Sequence, residues 1–319
     1  MTTRRKLSAP LRILTGQTAS GKGVVAVELA RMTGAELISV DSIKVYRGLD
    51  VGAAKPPRAV RDAVPFHLVD VVESGESFSL ANYLAAARAA VDEIAARGRP
   101  AVFVGGTPLY LRGLLYGIFE GPAANWPLRE QLTREAAERG TAALHEELRR
   151  LDPVTAERLH PNDLTRIIRA LEVARGTGRP ISEHQRQYPA PAPAVEYRMV
   201  ALRRGEEELK RRIRLRTRRM FEAGIVEEVR RVLDGGGMSR SAQKAIGYRE
   251  VLAHLRGELT LEQAVASVER NTWRLARKQR AWLKSFPDVQ WLDLTPEEPV
   301  QVTAARVHDL LFGSAPHDN

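Results

Sequence analysis

The chain has no cysteine among its 319 residues. Disulfides, thiol catalysis and cysteine-ligated zinc are therefore excluded, and any metal must be bound by oxygen or imidazole ligands. Long apolar runs are also missing. The basic residues Arg4, Arg5 and Lys6 are not followed by a hydrophobic stretch long enough for a secretory signal or a membrane span. We therefore expect a cytoplasmic protein without a membrane segment.

Acidic residues are too few to balance the basic ones. The chain has 49 Lys and Arg against 39 Asp and Glu, a net charge of +10. Residues 201–285 alone contain 21 Lys and Arg against 11 Asp and Glu, so the excess is localised in the C-terminal third. Many basic proteins are merely soluble, but a localised excess favours a polyanionic partner.

Short apolar runs alternate with helical patterns in the first third of the chain and return near residue 197. This alternation predicts βαβ units and a parallel sheet. The predicted strands are 11–15, 36–40, 66–72, 101–104 and 197–202. The predicted helices include 24–32, 80–97, 206–223, 225–233 and 261–284, and everything after residue 202 is expected to be helical.

The segment from Gly121 to about Tyr188 has helical spacing and no strand pattern, and it ends in alternating prolines and alanines that favour a stiff extended connector. We therefore predict a helical insertion domain, residues 121–194. The remaining residues, 1–120 and 195–319, are predicted to form an α/β core of the phosphate-loop type with basic C-terminal helices.

Residues 16–22, GQTASGK, match the phosphate-binding loop pattern between a predicted strand and a predicted helix. Glycines let backbone N–H groups curl around an anion, the helix N-terminus adds partial positive charge, and a lysine neutralises outer oxygens. A turn that only caps the helix is the alternative. The predicted diphosphate-binding residues are Gly16, Gln17, Thr18, Ala19, Ser20, Gly21, Lys22 and Gly23.

Gly23 occupies the position after the lysine, where such loops usually have a Ser or Thr hydroxyl that binds magnesium. Diphosphate binding is therefore a better expectation than nucleoside triphosphate hydrolysis. Mg²⁺ is nevertheless expected as a weakly bound cofactor, with Ser20 or Asp41 as a candidate ligand.

Asp41 and the Gly105-Gly106-Thr107 turn each follow a predicted strand, so both are expected at the carboxyl edge of the sheet beside the phosphate loop. The carboxylate there can act as a base, cap the next helix or bind magnesium, and these three possibilities stay open at this point. For the turn, the Thr107 hydroxyl can reach the same crevice, or the turn can be purely structural.

Seven segments together resemble the bacterial tRNA dimethylallyltransferases, in the family's order and over nearly the whole chain. They are 16–22 (GQTASGK), 41–47 (DSIKVYR), 50–56 (DVGAAKP), 104–107 (VGGT), 160–163 (HPND), 166–172 (RIIRALE) and 245–248 (AIGY). The resemblance implies transfer of the five-carbon group of dimethylallyl diphosphate to N6 of the adenosine immediately 3′ of the anticodon, in the anticodon stem-loop of tRNA. It also implies a catalytic set of Asp41, Thr107 and Arg216, and we expect a monomer.

The resemblance also implies positions that contact tRNA. These are Asp41, Ser42, Ile43, Lys44, Thr107, Arg129, Thr165, Arg166, Ile167, Ile168, Arg169, Arg277, Lys278 and Arg280. Four residues depart from the family pattern, namely Gln17, Gly23, Lys44 and Pro108. Gln17 and Pro108 are expected to alter only loop stiffness, whereas Lys44, a donor-only ammonium, cannot copy a glutamine's paired contact with a base.

Part of the positive charge of the C-terminal third lies in two helical clusters. The first falls within 210–219, which contains no acid, and the second is a stripe of Arg270, Arg274 and Arg277 opposite an apolar stripe predicted to be buried. That apolar stripe comprises Leu261, Val265, Val268, Thr272 and Leu275. A solvated face explains any single arginine, but the clusters favour RNA phosphates.

Three other functions compete. A small-molecule kinase shares the phosphate loop, but Gly23 argues against it. A prenyltransferase of free adenine nucleotides has no use for the localised charge. A non-enzymatic RNA-binding protein does not need Lys22, Asp41 and Thr107 together. Labelling of tRNA by dimethylallyl diphosphate distinguishes all three.

Overall fold

The computed structural model describes residues 10–117, 121–122, 124–186 and 193–313. These residues form two compact units. The first unit combines the chain up to Leu115 with the part from Ala194 onward, and the second runs from Tyr116 to Pro193. Pro189 and Pro191 of the expected proline connector lie outside the described residues.

A six-stranded parallel sheet forms the centre of the first unit, with strand order β3-β2-β4-β1-β5-β6. The α/β fold with a parallel sheet is thus confirmed. Its central strands are buried and apolar because helices cover both faces. The strands are β1 (Leu11–Gly16), β2 (Glu36–Val40), β3 (Phe66–His67), β4 (Ala101–Gly105), β5 (Tyr197–Arg204) and β6 (Val289–Leu294).

Two predictions about strands were wrong. The chain after residue 202 is not all helical, because β6 adds an edge strand in which alternate residues, Leu292 and Leu294, are buried. The run 66–72 is a strand only at 66–67, because Leu68 and Asp70 adopt positive φ angles of 59° and 58° that end the extended conformation.

Helices cover the sheet on either side. α1 and the last helix pack together on one face through Leu29, Val307 and Leu311, with sheet residues such as Leu14 and Val200 beneath them. The helices of the first unit are α1 (Lys22–Thr33), α2 (Arg58–Ala63), α3 (Leu80–Ala96), α4 (Pro108–Tyr116, which ends one residue into the second unit), α10 (Glu206–Glu222), α11 (Ile225–Asp234), α12 (Arg240–Gln243), α13 (Tyr248–Leu255), α14 (Leu261–Leu283) and α15 (Val300–Phe312).

The described residues of the second unit are helical or irregular. Its helices enclose a core that includes Leu132, Leu144, Ile167 and Leu171, all fully buried. The helices are α5 (Trp126–Arg139), α6 (Thr141–Leu151), α7 (Pro153–Arg158), α8 (Leu164–Thr177) and α9 (Ile181–Arg186).

Candidate active site

Three neighbouring strands of the sheet end at the predicted catalytic segments. β1 runs into the phosphate loop, β2 ends immediately before Asp41, and β4 runs into the turn that contains Thr107. These strands are adjacent in the order β2-β4-β1. Because parallel strands end at one edge of a sheet, the three segments border one crevice.

The phosphate loop has a backbone that its residue types permit. Gly16 and Gly21 have φ angles of 140° and 101°, and a Cβ at Gly16 would lie 2.6 Å from the Leu202 carbonyl oxygen. Arg212 and Arg204 donate to the Ala19 and Ser20 carbonyls, each at 2.8 Å. The Ser20 carbonyl and the Gly21 N–H belong to one peptide unit and point in opposite directions. Because the carbonyl points toward Arg204, the Gly21 N–H points away from Arg204, where it can bind an anion.

Cations outnumber carboxylates in the crevice. Burial, together with the nearby charges of Arg216 and Lys44, lowers the pKa of Lys22 to about 7, while Asp41 opposes the shift. Burial also lowers the pKa of Lys44, again against the attraction of Asp41. The Arg216 guanidinium donates to the Thr18 hydroxyl at 3.1 Å, which links the predicted catalytic arginine to the phosphate loop. Such an excess of partly buried positive charge suits a multiply charged anion.

The Asp41 carboxylate is oriented by its own turn. Oδ1 accepts the backbone N–H of Ile43 at 2.9 Å and that of Lys44 at 3.3 Å. The backbone N–H of Thr107 donates to the Val40 carbonyl at 3.3 Å, so this turn is attached to the residue before Asp41. Asp41, Thr107 and the phosphate loop therefore lie at one edge of the sheet. They offer a proton acceptor, a hydroxyl donor and an anion site.

Comparison with known proteins gives one consistent family. The sequence model of IPP transferase matches residues 44–286, and that of isopentenyl transferase matches residues 9–63. The tRNA dimethylallyltransferase of Anaeromyxobacter dehalogenans is 44% identical over 93% of this chain and 98% of its own length. The tRNA dimethylallyltransferase 1 of Citrifermentans bemidjiense is 43% identical over 88% of this chain and 91% of its own.

The crystal structure of tRNA isopentenylpyrophosphate transferase from Bacillus halodurans superposes with a TM-score of 0.68 at 34% identity, covering 94% of each chain. The chain belongs to the IPP transferase family. The likeness to relatives of known activity thus extends over both the sheet unit and the helical unit.

Within this IPP transferase, the charged cluster of 210–219 is divided between tasks. Arg212 and Arg216 turn toward the phosphate loop. Lys210 and Arg211 instead form ion pairs with Glu206–Glu208 in the first turn of α10. These acids lie just before the segment 210–219, so the composition of that segment does not reveal the pairs. The cluster is therefore partly a loop support and partly an ion-paired helix face.

The buried stripe of α14 differs from the predicted one. Leu261 is exposed, whereas the buried positions are Ala264, Val268, Ala276, Gln279 and Leu283. Ala264 and Ala276 are small, so α14 approaches its neighbours closely at these positions. Gln279 is buried there as well, in place of an apolar side chain. Arg277, Lys278 and Arg280 lie on the exposed side, as an RNA contact requires.

The residues of the insertion that were predicted to contact tRNA fall into two groups. Thr165 and Arg166 are exposed. The side chains of Ile167 and Ile168 are buried in the core of the second unit, so the predicted contact of these two residues with tRNA would involve their backbone. Arg129 and Arg169 both bind the buried Glu172 carboxylate, at 2.9 Å and 2.6 Å. Binding of tRNA by this segment stays a prediction.

Sequence reasoning missed several residues that support the site. Gln17 does more than alter loop stiffness, because it is buried and its Nε2 donates to the Ala276 carbonyl of α14 at 3.1 Å. Glu228 accepts the backbone N–H groups of Asp50, Val51 and Gly52, and it also accepts the Tyr248 hydroxyl at 2.9 Å. Glu228 therefore joins the segment 50–56 to the segment 245–248. The two segments are far apart in the sequence, so this contact cannot be predicted from it.

Within the described ranges, no helix combines the length and apolarity that a bilayer crossing needs. In the same part of the chain, His, Asp and Glu side chains form no group of three or more that could hold a metal ion. The hydroxyl of Ser20 is fully buried and has no hydrogen-bond partner among the described residues.

Proposed function

We propose that this protein transfers the dimethylallyl group of dimethylallyl diphosphate to N6 of the adenosine immediately 3′ of the anticodon in tRNA. The C1–O bond of the prenyl diphosphate breaks, a C1–N6 bond forms, and diphosphate and one proton leave. The observation that carries the proposal is the convergence of Lys22, Lys44 and Arg216 around one carboxylate, Asp41, at the ends of three adjacent strands. The names and coverage of the relatives support it.

The phosphate loop holds the leaving group. Negative charge grows on the diphosphate as the C1–O bond breaks, and preorganised donors in a water-poor site stabilise that charge. We assign this role to the loop amides, Lys22 and Arg216, whose guanidinium is already placed by the Thr18 hydroxyl. Thr107 enters the same crevice from the end of β4 and is assigned to the same group.

Asp41 is the candidate base. The exocyclic amine of adenine is a weak nucleophile because its lone pair is delocalised into the ring, so its proton must be accepted as the new bond forms. Two backbone N–H groups bind Oδ1 of Asp41. We therefore assign proton acceptance to Oδ2.

Magnesium fits this site only in a limited way. The position after Lys22 is Gly23, which offers no side-chain ligand, so the candidates are the Ser20 hydroxyl, buried without a hydrogen-bond partner among the described residues, and the Asp41 carboxylate. We propose that Mg²⁺ would be held mainly by the diphosphate, with Ser20 as the candidate protein ligand because Asp41 is assigned to proton acceptance, and that it would neutralise leaving-group charge. The three cations of the crevice supply much of the same charge.

The tRNA surface is assigned to the exposed side of α14. Arg277, Arg280 and Lys284 line an open cavity of about 470 Å³ together with Arg204 and Trp273. Its charge and its aromatic wall suit a nucleotide of folded RNA, and the cations bind its phosphates. The protein is proposed to act in the cytoplasm, as a monomer.

The target base must leave its stack in the anticodon loop to reach a crevice at the sheet edge. We propose that the base enters the crevice between Asp41 and Thr107 and meets the diphosphate from the opposite side. A structure with bound tRNA in which this base stays stacked would exclude that arrangement.

The deciding experiment incubates the protein with radiolabelled dimethylallyl diphosphate and either total tRNA or adenosine monophosphate. We expect label in the tRNA, recovered after digestion as N6-modified adenosine, and none in the mononucleotide. Label in the mononucleotide alone would indicate a prenyltransferase of free nucleotides. Tight tRNA binding without transfer would indicate an RNA-binding protein.

A further inference from the structure

Gln279 of α14 lies between the two halves of the candidate site. It is almost fully buried, with 6% of its surface exposed. Its Oε1 accepts the backbone N–H of Thr18 at 2.7 Å, and its Nε2 donates to the Gly106 carbonyl at 2.7 Å. One side chain therefore joins the phosphate loop to the turn that precedes Thr107.

The neutral amide of Gln279 satisfies both contacts. The Thr18 N–H requires an acceptor and the Gly106 carbonyl requires a donor, so the orientation of the amide is determined by its partners. An ionised carboxylate of the same size can accept from Thr18 but cannot donate to Gly106, and it adds negative charge beside a carbonyl oxygen. The space is equally restricted, because a Cβ at Gly106 would lie 2.9 Å from Nε2 of Gln279.

The contacts of Gln279 continue to each predicted catalytic group. The Gly106 N–H donates to the Val40 carbonyl at 3.2 Å, which ties the turn to the residue before Asp41. Thr18 uses its N–H for Gln279 and its hydroxyl for Arg216. The amide thus lies between the phosphate loop, which is linked to Arg216, and the strand ends that carry Thr107 and Asp41.

We propose that Gln279 is a positioning residue that sets the spacing between the diphosphate loop and the strand ends carrying Asp41 and Thr107. This inference rests on the proposed prenyl transfer. A displacement of about 1 Å between reacting groups can lower a rate by roughly a hundredfold. Gln279 contacts backbone atoms of the site, so it acts through them and not on the substrate.

The test is the pH dependence of Gln279→Glu. At high pH the carboxylate lacks a donor, and we expect the single-turnover transfer rate to fall roughly tenfold to a hundredfold below that of the unsubstituted protein. Once protonated, the carboxyl presents one carbonyl oxygen and one O–H, the same pattern as the amide. The ratio of variant to unsubstituted rate should therefore rise toward one as the pH falls from about 8.5 to 6.

Gln263→Glu is the matched control on the same helix. Gln263 is exposed, and its Oε1 accepts the Thr260 N–H at 2.8 Å, a contact that a carboxylate keeps. Its rate ratio should stay near one at every pH. Both variants should keep their tRNA dissociation constant within about twofold, since neither side chain belongs to the proposed RNA surface.

A second readout does not depend on transfer. Pyrophosphate binding to Gln279→Glu should be weak at pH 8.5 and recover at pH 6, relative to the unsubstituted protein. A rate ratio near one at pH 8.5, or a loss that does not change with pH, would overturn the proposal. If the unsubstituted protein transfers no label, the proposed function fails and pyrophosphate binding alone decides the role of Gln279.

Gln279→Met covers the case in which the charged variant does not fold. Methionine has a similar length and makes neither hydrogen bond, so we expect a lowered kcat at every pH with an unchanged tRNA dissociation constant. A kcat equal to that of the unsubstituted protein would refute the positioning role.

Discussion

Each unit contains a carboxylate with cations near it. The two arrangements differ in whether the negative charge is matched by its hydrogen-bond donors or outnumbered by positive charges. In the helical unit, Glu172 is buried and accepts from Arg129, Arg169 and the Asn125 N–H. Burial disfavours its ionisation, but these hydrogen bonds outweigh burial and keep the pKa of Glu172 below its ordinary value. Every lone pair has a donor, so this cluster stabilises helix packing.

At the sheet edge, Asp41 faces three cations, and the pKa of Lys22 is lowered by burial and by like charges. This excess of positive charge is unfavourable until an anion arrives. We infer that the balanced cluster serves the fold, and we propose that the unbalanced one serves ligand binding. The following changes test that difference, from the largest expected effect to the smallest.

Asp41→Asn should abolish chemistry and spare the fold. We expect the single-turnover transfer rate to fall by roughly a hundredfold or more, the scale of a lost general base. Asparagine keeps an oxygen for the Ile43 N–H but adds to the excess of positive charge, so the urea midpoint should fall only slightly. Asp62→Asn, at an exposed ion pair on α2, is the control. Near-normal turnover of the Asp41 variant would remove this residue from catalysis.

Glu172→Gln should lower the stability of the protein and not affect the chemistry directly. Removal of the charge leaves two arginines around a buried neutral group, and we expect a loss of about 3 kcal/mol in the free energy of unfolding. Urea denaturation measures it. Glu146→Gln, at an exposed ion pair with Arg149 in the same unit, should cost no more than about 0.5 kcal/mol. Equal losses in both variants would contradict the structural role of Glu172.

Binding of tRNA should weaken steeply with salt, because counterions displaced by the α14 cations return on dissociation. Arg277→Gln and Arg280→Gln should each reduce the slope of log affinity against log salt by about one. Arg31→Gln, at the far end of α1 from the phosphate loop, should leave the slope unchanged. Identical slopes for tRNA and dimethylallyl diphosphate would place the RNA surface elsewhere.

Binding of diphosphate should take up a proton. With a pKa of about 7, Lys22 is largely neutral at pH 8, and a bound anion raises that pKa, so the lysine must be protonated on binding. Affinity should then fall up to about tenfold per pH unit above pH 7. Calorimetry at pH 8 in two buffers of different ionisation enthalpy measures the uptake. Lys22→Arg stays charged and should show less uptake; equal uptake in both proteins would exclude Lys22 as the source.

Gly23→Thr should have the smallest effect. A Cβ at Gly23 would meet no atom within 4 Å, so the variant should fold normally. The new hydroxyl supplies a ligand for magnesium, and half-maximal transfer should need a few-fold less Mg²⁺. Gly23→Val, with the same branching and no hydroxyl, is the control. An unchanged requirement in the threonine variant would mean that the metal does not approach this position.

The local sequence was sufficient for the elements that carry chemistry. Gly16 to Lys22 predicts its own loop, because glycine at positive φ and a lysine at a helix start are local requirements. The strands before Asp41 and Thr107 were predicted from apolar runs, and the edge at which they meet follows from parallel pairing. β6 was not predicted, because an edge strand with alternating burial leaves only a weak apolar pattern. The end of β3 before Leu68 was not predicted either, because nothing in the sequence indicates the positive φ of Leu68.

Contacts between distant segments needed the tertiary structure. Nothing near position 279 indicates that its amide would bridge Thr18 and Gly106, which are 261 and 173 residues away in the chain. Arg129 and Arg169 are expected to contact RNA, and only the folded structure shows that both also bind the buried Glu172 carboxylate. Short-range backbone preferences and hydrophobic periodicity are encoded locally, so the loop, the sheet and the family resemblance can be read along the chain. Which charges are neutralised and which await a ligand depends on packing between segments, and only the folded protein determines it.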